Sequence, residues 1–250
     1  MQLAKETSKP LISIIVPVFN AVICLEAALE SIVNQNYSNY ELIIIDGGST
    51  DGSLTVIEKF KDKIKLCISE VDSGIYDAMN KGIDRAEGEW LYFLGSDDEL
   101  SPDILEKIVP FLNDKYKIVF GDVVFDNGYR MQSFLGYRTL LQNTLHHQGA
   151  FYSRENFTSF RYDNSLKILA DYELNLINYV KKLPVLHIPA IIARCNSGGT
   201  SSQLSQSLFE TNMVRKRHVD GKLKNLLLTL SLNLYYTQKM IRRVLYGHKV

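Results

Sequence analysis

Few of the features that mark secreted or membrane-spanning chains occur in this sequence. It has only three cysteines in 250 residues, Cys24, Cys67 and Cys195, and they form no CxxC pair, so we interpret them as buried free thiols in a reducing compartment. No segment reaches the roughly 18 uninterrupted apolar residues that a membrane span needs. Residues 1–9 lack the apolar core of a secretory signal. We therefore expect a cytoplasmic protein.

The chain also lacks an excess of charge of either sign. The 28 Lys and Arg residues balance 28 Asp and Glu residues, without the basic excess that binding to a nucleic-acid backbone leaves on a domain. Nucleic acid is therefore not an expected partner. The chain also has no His/Cys grouping with zinc spacing, no GxxxxGKS/T phosphate loop and no GxSxG nucleophile elbow. At 46% apolar residues it can close one sizeable core and carry an appendage.

Strand and helix patterns alternate through the first half of the chain. Residues 12–18 are β-branched and almost continuously apolar, as in a parallel strand that is buried on both faces. Apolar residues then recur at helical spacing. Ser53 is a candidate helix cap, and Ser101-Pro102 is a candidate helix start. The pattern predicts strands at 12–18, 41–45, 65–69 and 90–94, and helices at 25–33, 53–60, 75–85 and from 101 onward. This alternation favours a mostly parallel sheet.

The second half has a different pattern. Asn127-Gly128 between two apolar runs predicts a hairpin with a type I′ turn, which adds antiparallel strands at 118–125 and 129–134. Further on we predict a helix at 169–183, a broken strand at 185–193, a flexible loop at 198–202 and helices at 203–219 and 223–245. The expected architecture is an α/β domain over residues 1–202, with a mostly parallel central sheet flanked by helices and an antiparallel addition, followed by a helical C-terminal extension over residues 203–250.

Acidic residues follow several of the predicted strands. Asp46, Asp72, Asp97 and Asp98 all come at or just after a strand end, and the carboxyl ends of parallel strands share one edge of a sheet, where ligands bind. Neighbouring carboxylates repel one another unless a hard divalent cation bridges them to phosphate oxygens. The adjacent Asp97 and Asp98 therefore predict a site for a divalent cation, Mg²⁺ or Mn²⁺, at this edge.

Five segments, in this order, resemble the inverting glycosyltransferase family 2, of the bacterial surface-polysaccharide type, which has the GT-A fold. They are Ile15-Val16-Pro17-Val18-Phe19-Asn20, Ile45 to Ser53, Asp72 to Gly82, Phe93 to Asp98 and Ala170 to Leu174. The resemblance covers most of the chain. It implies transfer of a sugar, with inversion, from a nucleotide-diphosphate donor such as a UDP-sugar to a glycan or lipid-linked acceptor.

The resemblance also implies roles for residues on the donor side. Asp46 holds the base beside Pro17 and Asn20, although Gly47 stands where the family often has a second acid. Asp72 contacts the nucleotide, and two further residues, Asn80 and Lys81, face the same crevice. A turn or helix-capping role is the structural alternative for Asp46. For Asp72 the alternative is an acid at a helix N-terminus that the helix dipole stabilises.

Metal binding and catalysis are implied for a second set of residues. Asp97 and Asp98 are the metal ligands, with the order between them left open, because Gly95 replaces the first acid of the usual Asp-x-Asp. Asp171 matches the catalytic aspartate, the base that removes the proton from the acceptor hydroxyl. Glu173 is the second choice as base, and a helix-start acid is the structural alternative for Asp171.

Two more residues are candidates for the donor site. The segment His146-His147-Gln148 resembles a family motif that lies near the diphosphate, which implies a site role for His147. Arg194 and the loop that follows, with Gly198, resemble the family's lid over the diphosphate; an ordinary surface loop is the alternative.

The C-terminal extension admits two interpretations. Residues 226–236 are markedly apolar, and basic residues follow at Lys239, Arg242, Arg243, His248 and Lys249. This suits a helix on an anionic bilayer surface, at the inner face of the plasma membrane. The alternative is a helical pair that packs on the domain or on a second copy of the chain.

Two other function classes stay open. A sugar-phosphate nucleotidyltransferase uses a related sheet, but it has a Gly-rich loop with Arg and Lys after the first strand, which is absent between Val18 and Leu25. A catalytically inactive nucleotide-sugar binding module is the other alternative, since Gly95 and Ala170 replace family acids.

Overall fold

The computed structural model describes residues 9–197 and 204–246. The predicted loop at 198–202, the predicted domain boundary between 202 and 203, and His248 and Lys249 lie outside this range. The chain forms two compact units. The first comprises residues up to 133, 146–161 and 184–197, and the second comprises 134–145, 162–183 and the chain from 198 onward.

Four parallel strands form one half of the sheet in the first unit. They are β1 (Ile12–Val18), β2 (Tyr40–Asp46), β3 (Leu66–Ser69) and β4 (Trp90–Phe93), in the spatial order β3-β2-β1-β4. Every residue of β1 and β4 is buried, which explains their continuous apolar runs. The connecting helices are α1 (Leu25–Val33), α2 (Ser53–Lys59) and α3 (Ile75–Arg85), so the predicted alternation is confirmed.

Antiparallel strands extend the sheet beyond β4. There β8 (Ala150–Ser153) pairs with β4 and with β6 (Ile118–Phe125), and β6 in turn runs parallel to β9 (Val185–Cys195). Two short strands, β5 (Glu99–Leu100) and β7 (Arg130–Met131), pair antiparallel with β9 and β6. Within the described ranges the nine strands form a single mixed sheet, which confirms the expected α/β architecture with its antiparallel addition.

Three local predictions are wrong. The turn after β6 is not type I′, because among its central residues only Gly128 has a positive φ, +81°; the hairpin itself is present. The helix expected from Ser101 is α4 (Ile104–Ile108), since Asp103 at φ +57° interrupts the chain before it. Ser53 is the first residue of α2, not its cap, and Gly52 at φ +101° precedes it.

The thiols differ in exposure. All three cysteines are free, as expected, and Cys195 is buried. Cys24 is half-buried, and Cys67 is exposed because β3 alternates between facing in and facing out. The prediction of buried thiols is therefore confirmed for Cys195 and wrong for Cys67.

The second unit is helical. It contains α5 (Ala170–Val180), α6 (Leu204–His218) and α7 (Lys222–Tyr246), with a short helical turn at Tyr137–Leu140. Leu232 and Tyr236 are the buried side of α7. The two helices predicted at 203–219 and 223–245 are thus confirmed as α6 and α7. No helix in the described part of the chain is both long enough and apolar enough to cross a membrane.

Candidate active site

The loops that follow β1 and β2 are joined by backbone-to-side-chain hydrogen bonds. The Asn20 N–H donates to Ser49 Oγ at 2.8 Å, and the Thr50 N–H donates to Asn20 Oδ1 at 2.9 Å. The Ala21 N–H donates to Ser53 Oγ at 2.8 Å. Asn20 has a φ of +49°, a conformation that asparagine tolerates better than most residues. The two loops therefore form one fixed rim at the carboxyl edge of the sheet.

Asp46 is the centre of this rim, below the surface. It is fully buried, and its carboxylate accepts hydrogen bonds from the Ser69 hydroxyl at 2.6 Å and from the N–H groups of Gly48 at 3.2 Å and Ser49 at 3.1 Å. These donors compensate the burial of the charge. The side chain thus holds the loop after β2 in place. Pro17, also expected beside the base, is buried within β1 opposite Ile45.

Asp72 lies directly against the loop that Asp46 organises. A Cβ atom on Gly47 would come within 2.7 Å of Asp72 Oδ2, so the two carboxylates belong to the same corner of the site. Asp72 also accepts a hydrogen bond from the Gly74 N–H at 2.9 Å. A side chain at position 47 would therefore require the Asp72 carboxylate to shift.

Lys81 faces carboxylates. Its Nζ lies 2.8 Å from Glu70 Oε1 and 3.7 Å from Asp77 Oδ2, and the hydrogen bond with Glu70 raises the pKa of the lysine. The side chain is 24% exposed, so the ammonium group is only partly open to a ligand. Asn80, the preceding residue on α3, is half-buried.

The two aspartates after β4 have opposite environments. Asp97 is exposed, whereas Asp98 is 4% exposed. Asp98 Oδ2 accepts from Gln148 Nε2 at 2.5 Å, and its Oδ1 accepts from the Asn196 N–H at 3.0 Å. Burial, and then the charge of Asp97, raise the pKa of Asp98, and the two hydrogen bonds and the nearby His147 offset part of that rise. Asp97 is the carboxylate that is free to meet a ligand.

Gly95 makes this arrangement of the two carboxylates possible. A Cβ atom at this position would lie 2.4 Å from Asp98 Oδ2 and 3.0 Å from Asp97 Oδ1. Any side chain there would displace a buried, hydrogen-bonded carboxylate. An acid at position 95 would therefore require this buried carboxylate to move from its present position.

Gln148 is a site residue that sequence reasoning did not select. It is 7% exposed, its amide nitrogen holds Asp98, and Tyr92 donates a hydrogen bond to its backbone carbonyl at 2.8 Å. The His-Gln pair in the sequence was the available signal for Gln148. The His147 ring stacks on that of His146, with 5.4 Å between the ring centroids. His147 does lie near enough for its charge to act on Asp98.

Arg194 does not join this group. It is exposed on β9 opposite Glu99 and lines a cavity of about 330 Å³ bounded by α1 and β5. The neighbouring Cys195 has the inward position on the strand, and burial and the charge of Asp98 raise its thiol pKa. The structure therefore brings Asn20, Asp46 and Asp72 to one rim and groups Asp97 with Asp98 and His147. Arg194 lines a cavity whose lining includes none of these six residues.

A large apolar ring at the rim also escaped the sequence analysis. Phe19 follows β1 directly and is 64% exposed, beside the fixed Asn20. Its position in the first motif was the signal. An exposed aromatic ring at the carboxyl edge of a sheet is a surface on which a planar base can stack.

Asp171 is in the second unit, in the first turn of α5. It is 5% exposed, and Asn143 Nδ2 donates a hydrogen bond to its Oδ2 at 2.8 Å. Glu173, the second choice as base, lies 2.6 Å from His218 Nε2 and 3.3 Å from an Arg217 nitrogen. Glu173 thus ties α5 to α6, and its carboxylate is already paired.

Residues 9–197 and 204–246 contain no group of three or more His, Cys, Asp or Glu side chains arranged to hold a metal ion. The carboxylate pair after β4 is a smaller set. Mg²⁺ is commonly bound by one or two carboxylates together with substrate phosphates, so the exposed Asp97, supported by the buried Asp98, fits a cation that arrives with a diphosphate.

Comparison with known proteins gives matches over most of the chain. The model of Glycosyl transferase family 2 matches residues 13–172. A PGL/p-HBAD biosynthesis glycosyltransferase of Mycobacterium bovis (strain BCG / Pasteur 1173P2) is 34% identical over 211 residues, which cover 80% of this chain and 82% of that protein.

Solved structures with a similar fold are also found. TarS of S. aureus superimposes with a TM-score of 0.70 at 18% identity, covering 96% of this chain and 75% of the TarS chain, and TarS has also been solved with UDP-GlcNAc. The mannosyltransferase PcManGT of Pyrobaculum calidifontis, in complex with GDP-Man and Mn²⁺, gives a TM-score of 0.68 at 16% identity, covering 92% and 70%. At these identities the likeness concerns the fold.

Proposed function

The chain belongs to glycosyl transferase family 2 and has the GT-A fold, and we propose that it transfers a sugar, with inversion, from a nucleotide-diphosphate donor to a glycan or lipid-linked acceptor. We assign the reaction to bacterial surface-polysaccharide assembly. A UDP-sugar is the proposed donor, in keeping with the UDP-GlcNAc complex of TarS.

One observation carries the proposal: polar and acidic side chains gather at the carboxyl edge of a parallel sheet. The rim of Asn20, Asp46 and Asp72 suits a nucleoside, because Asp72 supplies an acceptor and Phe19 supplies a stacking surface. Asp46, with its oxygens occupied, positions the rim. Lys81, partly open beside Glu70, lies near enough to Asp72 for the two charges to interact, so it is the proposed cation at this corner.

Asp97 is the proposed principal ligand for Mg²⁺ or Mn²⁺. It is exposed, whereas the buried Asp98 is engaged by Gln148 and the Asn196 N–H, so Asp98 acts by fixing the turn that presents Asp97. A divalent ion, when bound, neutralises charge that develops on the leaving diphosphate. His147 and Arg194 stay proposed donor contacts, with His147 beside Asp98 and Arg194 in the cavity next to α1.

Asp171 is the proposed general base. Inversion requires a group that removes the proton from the acceptor hydroxyl as that hydroxyl attacks the anomeric carbon. Asp171 is the better candidate than Glu173, because Glu173 is paired with His218 and Arg217.

The first experiment measures nucleotide release from UDP-, GDP- and dTDP-sugars with and without Mn²⁺. We expect metal-dependent release from at least one donor, and Asp97→Ala should weaken donor binding only when metal is present. Equal loss of affinity in chelator would contradict the ligand role of Asp97. Donor binding without any nucleotide release would indicate an inactive binding module instead.

The second experiment tests the base. Asp171→Asn keeps the shape of the side chain but removes its basicity, so transfer should fall by at least ~100-fold with donor affinity nearly unchanged. Glu173→Gln is the matched control on the same helix. An active Asp171→Asn enzyme would remove the assignment.

A lipid-linked acceptor would be reached at a membrane surface, and α7 suits that contact. One side of α7 carries five leucines that are 56–72% exposed, at Leu223, Leu226, Leu227, Leu230 and Leu234. The α7 sequence has no acidic residue, and its charges are all basic. An apolar stripe with only cationic flanks favours an anionic bilayer over pairing with an equally charged second copy.

Vesicle sedimentation tests this contact. The chain should sediment with phosphatidylglycerol vesicles, weakly with phosphatidylcholine vesicles, and less at high salt. Leu227→Glu should abolish sedimentation, whereas Ser205→Glu, an equal charge on an exposed residue of α6, should not. A dimer in solution that is disrupted by Leu227→Glu, without vesicle binding, would favour contact with a second copy.

A further inference from the structure

We propose that Asn143 is a positioning residue for the catalytic carboxylate, held in turn by Asn175. Asn143 Nδ2 donates to Asp171 Oδ2 at 2.8 Å, and Asn143 Oδ1 accepts from Asn175 Nδ2 at 3.1 Å. The three side chains form a relay, here meaning a chain of two hydrogen bonds that runs from Asn175 through Asn143 to Asp171. The inference rests on the proposed role of Asp171 as base.

The backbone around the relay holds it in place. Asp171 and Asn175 are four residues apart on α5, so their side chains lie on the same helix face. Asn175 is fully buried and also donates to the Leu145 carbonyl at 2.9 Å, which ties the segment after Asn143 to α5. The Leu145 N–H in turn lies 3.4 Å from Asn143 Oδ1. Hydrogen bonds therefore hold both the amide nitrogen and the amide oxygen of Asn143.

The chemistry explains why the relay acts on catalysis. A general base must hold one lone pair toward the proton that it removes, and its orientation is commonly set by a third group. The hydrogen bond from Asn143 fixes one oxygen of Asp171 and favours the ionised form of the carboxylate. A misplacement of about 1 Å in a reacting group costs on the order of 100-fold in rate.

Three single substitutions test the proposal. Asn143→Ala should lower kcat by ~10- to 100-fold while the Kd of the donor stays within about twofold, because positioning of the base is lost and the donor contacts are not. Asn143→Asp puts a second acid beside Asp171, so the acidic limb of the pH–rate profile should move to higher pH. Asn178→Ala is the control: Asn178 is buried on the same helix but donates to the Leu174 carbonyl, so it should lower thermal stability and leave kcat unchanged.

A double-mutant cycle separates positioning from a structural effect. In the Asp171→Asn background, Asn143→Ala should cause no further loss of residual activity, because Asn143 acts through Asp171. An additive loss would overturn the proposal, as would an Asn143→Ala enzyme with wild-type kcat. A wild-type chain that releases no nucleotide from any donor would instead refute the proposed function.

Discussion

A side chain at position 95 should disrupt the turn that carries Asp97 and Asp98. In Gly95→Ala the new Cβ would lie 2.4 Å from Asp98 Oδ2. Asp98 cannot simply swing away, because its oxygens are held by Gln148 at 2.5 Å and by the Asn196 N–H at 3.0 Å.

The loss of stability in Gly95→Ala follows from those contacts. The oxygen must retreat by about 1 Å to reach the 3.4 Å of ordinary contact, which breaks at least one hydrogen bond to a buried carboxylate. Such a bond contributes ~1.5–3 kcal/mol. At ~2–4 °C per kcal/mol for a chain of this size, the unfolding midpoint should fall by ~3–12 °C.

Thermal unfolding of matched variants measures this effect. Gly136→Ala is the control: its nearest contact would be Phe134 Cδ2 at 3.7 Å, and its φ of −163° is open to any residue, so its midpoint should stay near wild type. In an Asp98→Ala background Gly95→Ala should lower the unfolding midpoint only slightly, because the oxygen that the new Cβ would collide with is gone. A Gly95→Ala protein with the wild-type midpoint would refute the reasoning, and so would an equal cost in both backgrounds.

Three further predictions concern buried groups. Burial alone would raise the pKa of Asp122, but hydrogen bonds, with that to His187 foremost, outweigh it and lower the pKa. Asp122 should therefore raise the free energy of unfolding, relative to Asp122→Asn, by its full amount at pH 7, and this difference should shrink as the pH falls below about 4. Denaturant titrations of both proteins at several pH values measure the difference. Glu210 accepts the N–H groups of residues 167–169 just before α5, so Glu210→Ala should cost ~2–4 kcal/mol and speed hydrogen exchange there. A thiol reagent should modify Cys67 in the folded protein and leave Cys195 intact, because Cys67 is exposed and Cys195 is buried; early modification of Cys195 would contradict the structure.

The local patterns of the sequence determined most of the elements. The bounds predicted for β1, α3 and β6 agree with the structure, because burial on both faces or on one helical face imposes a periodicity that neighbouring residues carry. The turns were less well predicted. A single backbone dihedral, such as that of Asp103, moves a helix start by several residues without a periodic signal.

Which side chains meet was decided by the tertiary structure. The sequence placed acidic residues at the ends of the parallel strands, but it did not tell exposed Asp97 from buried Asp98, whose partner Gln148 is 50 positions away. Nor did it identify Asn143, which lies 28 positions from Asp171. A hydrogen bond between distant residues depends on how the chain returns to the same place, and composition and spacing carry no record of that return. Periodicity therefore determined the scaffold, and only packing assigned each carboxylate its partners.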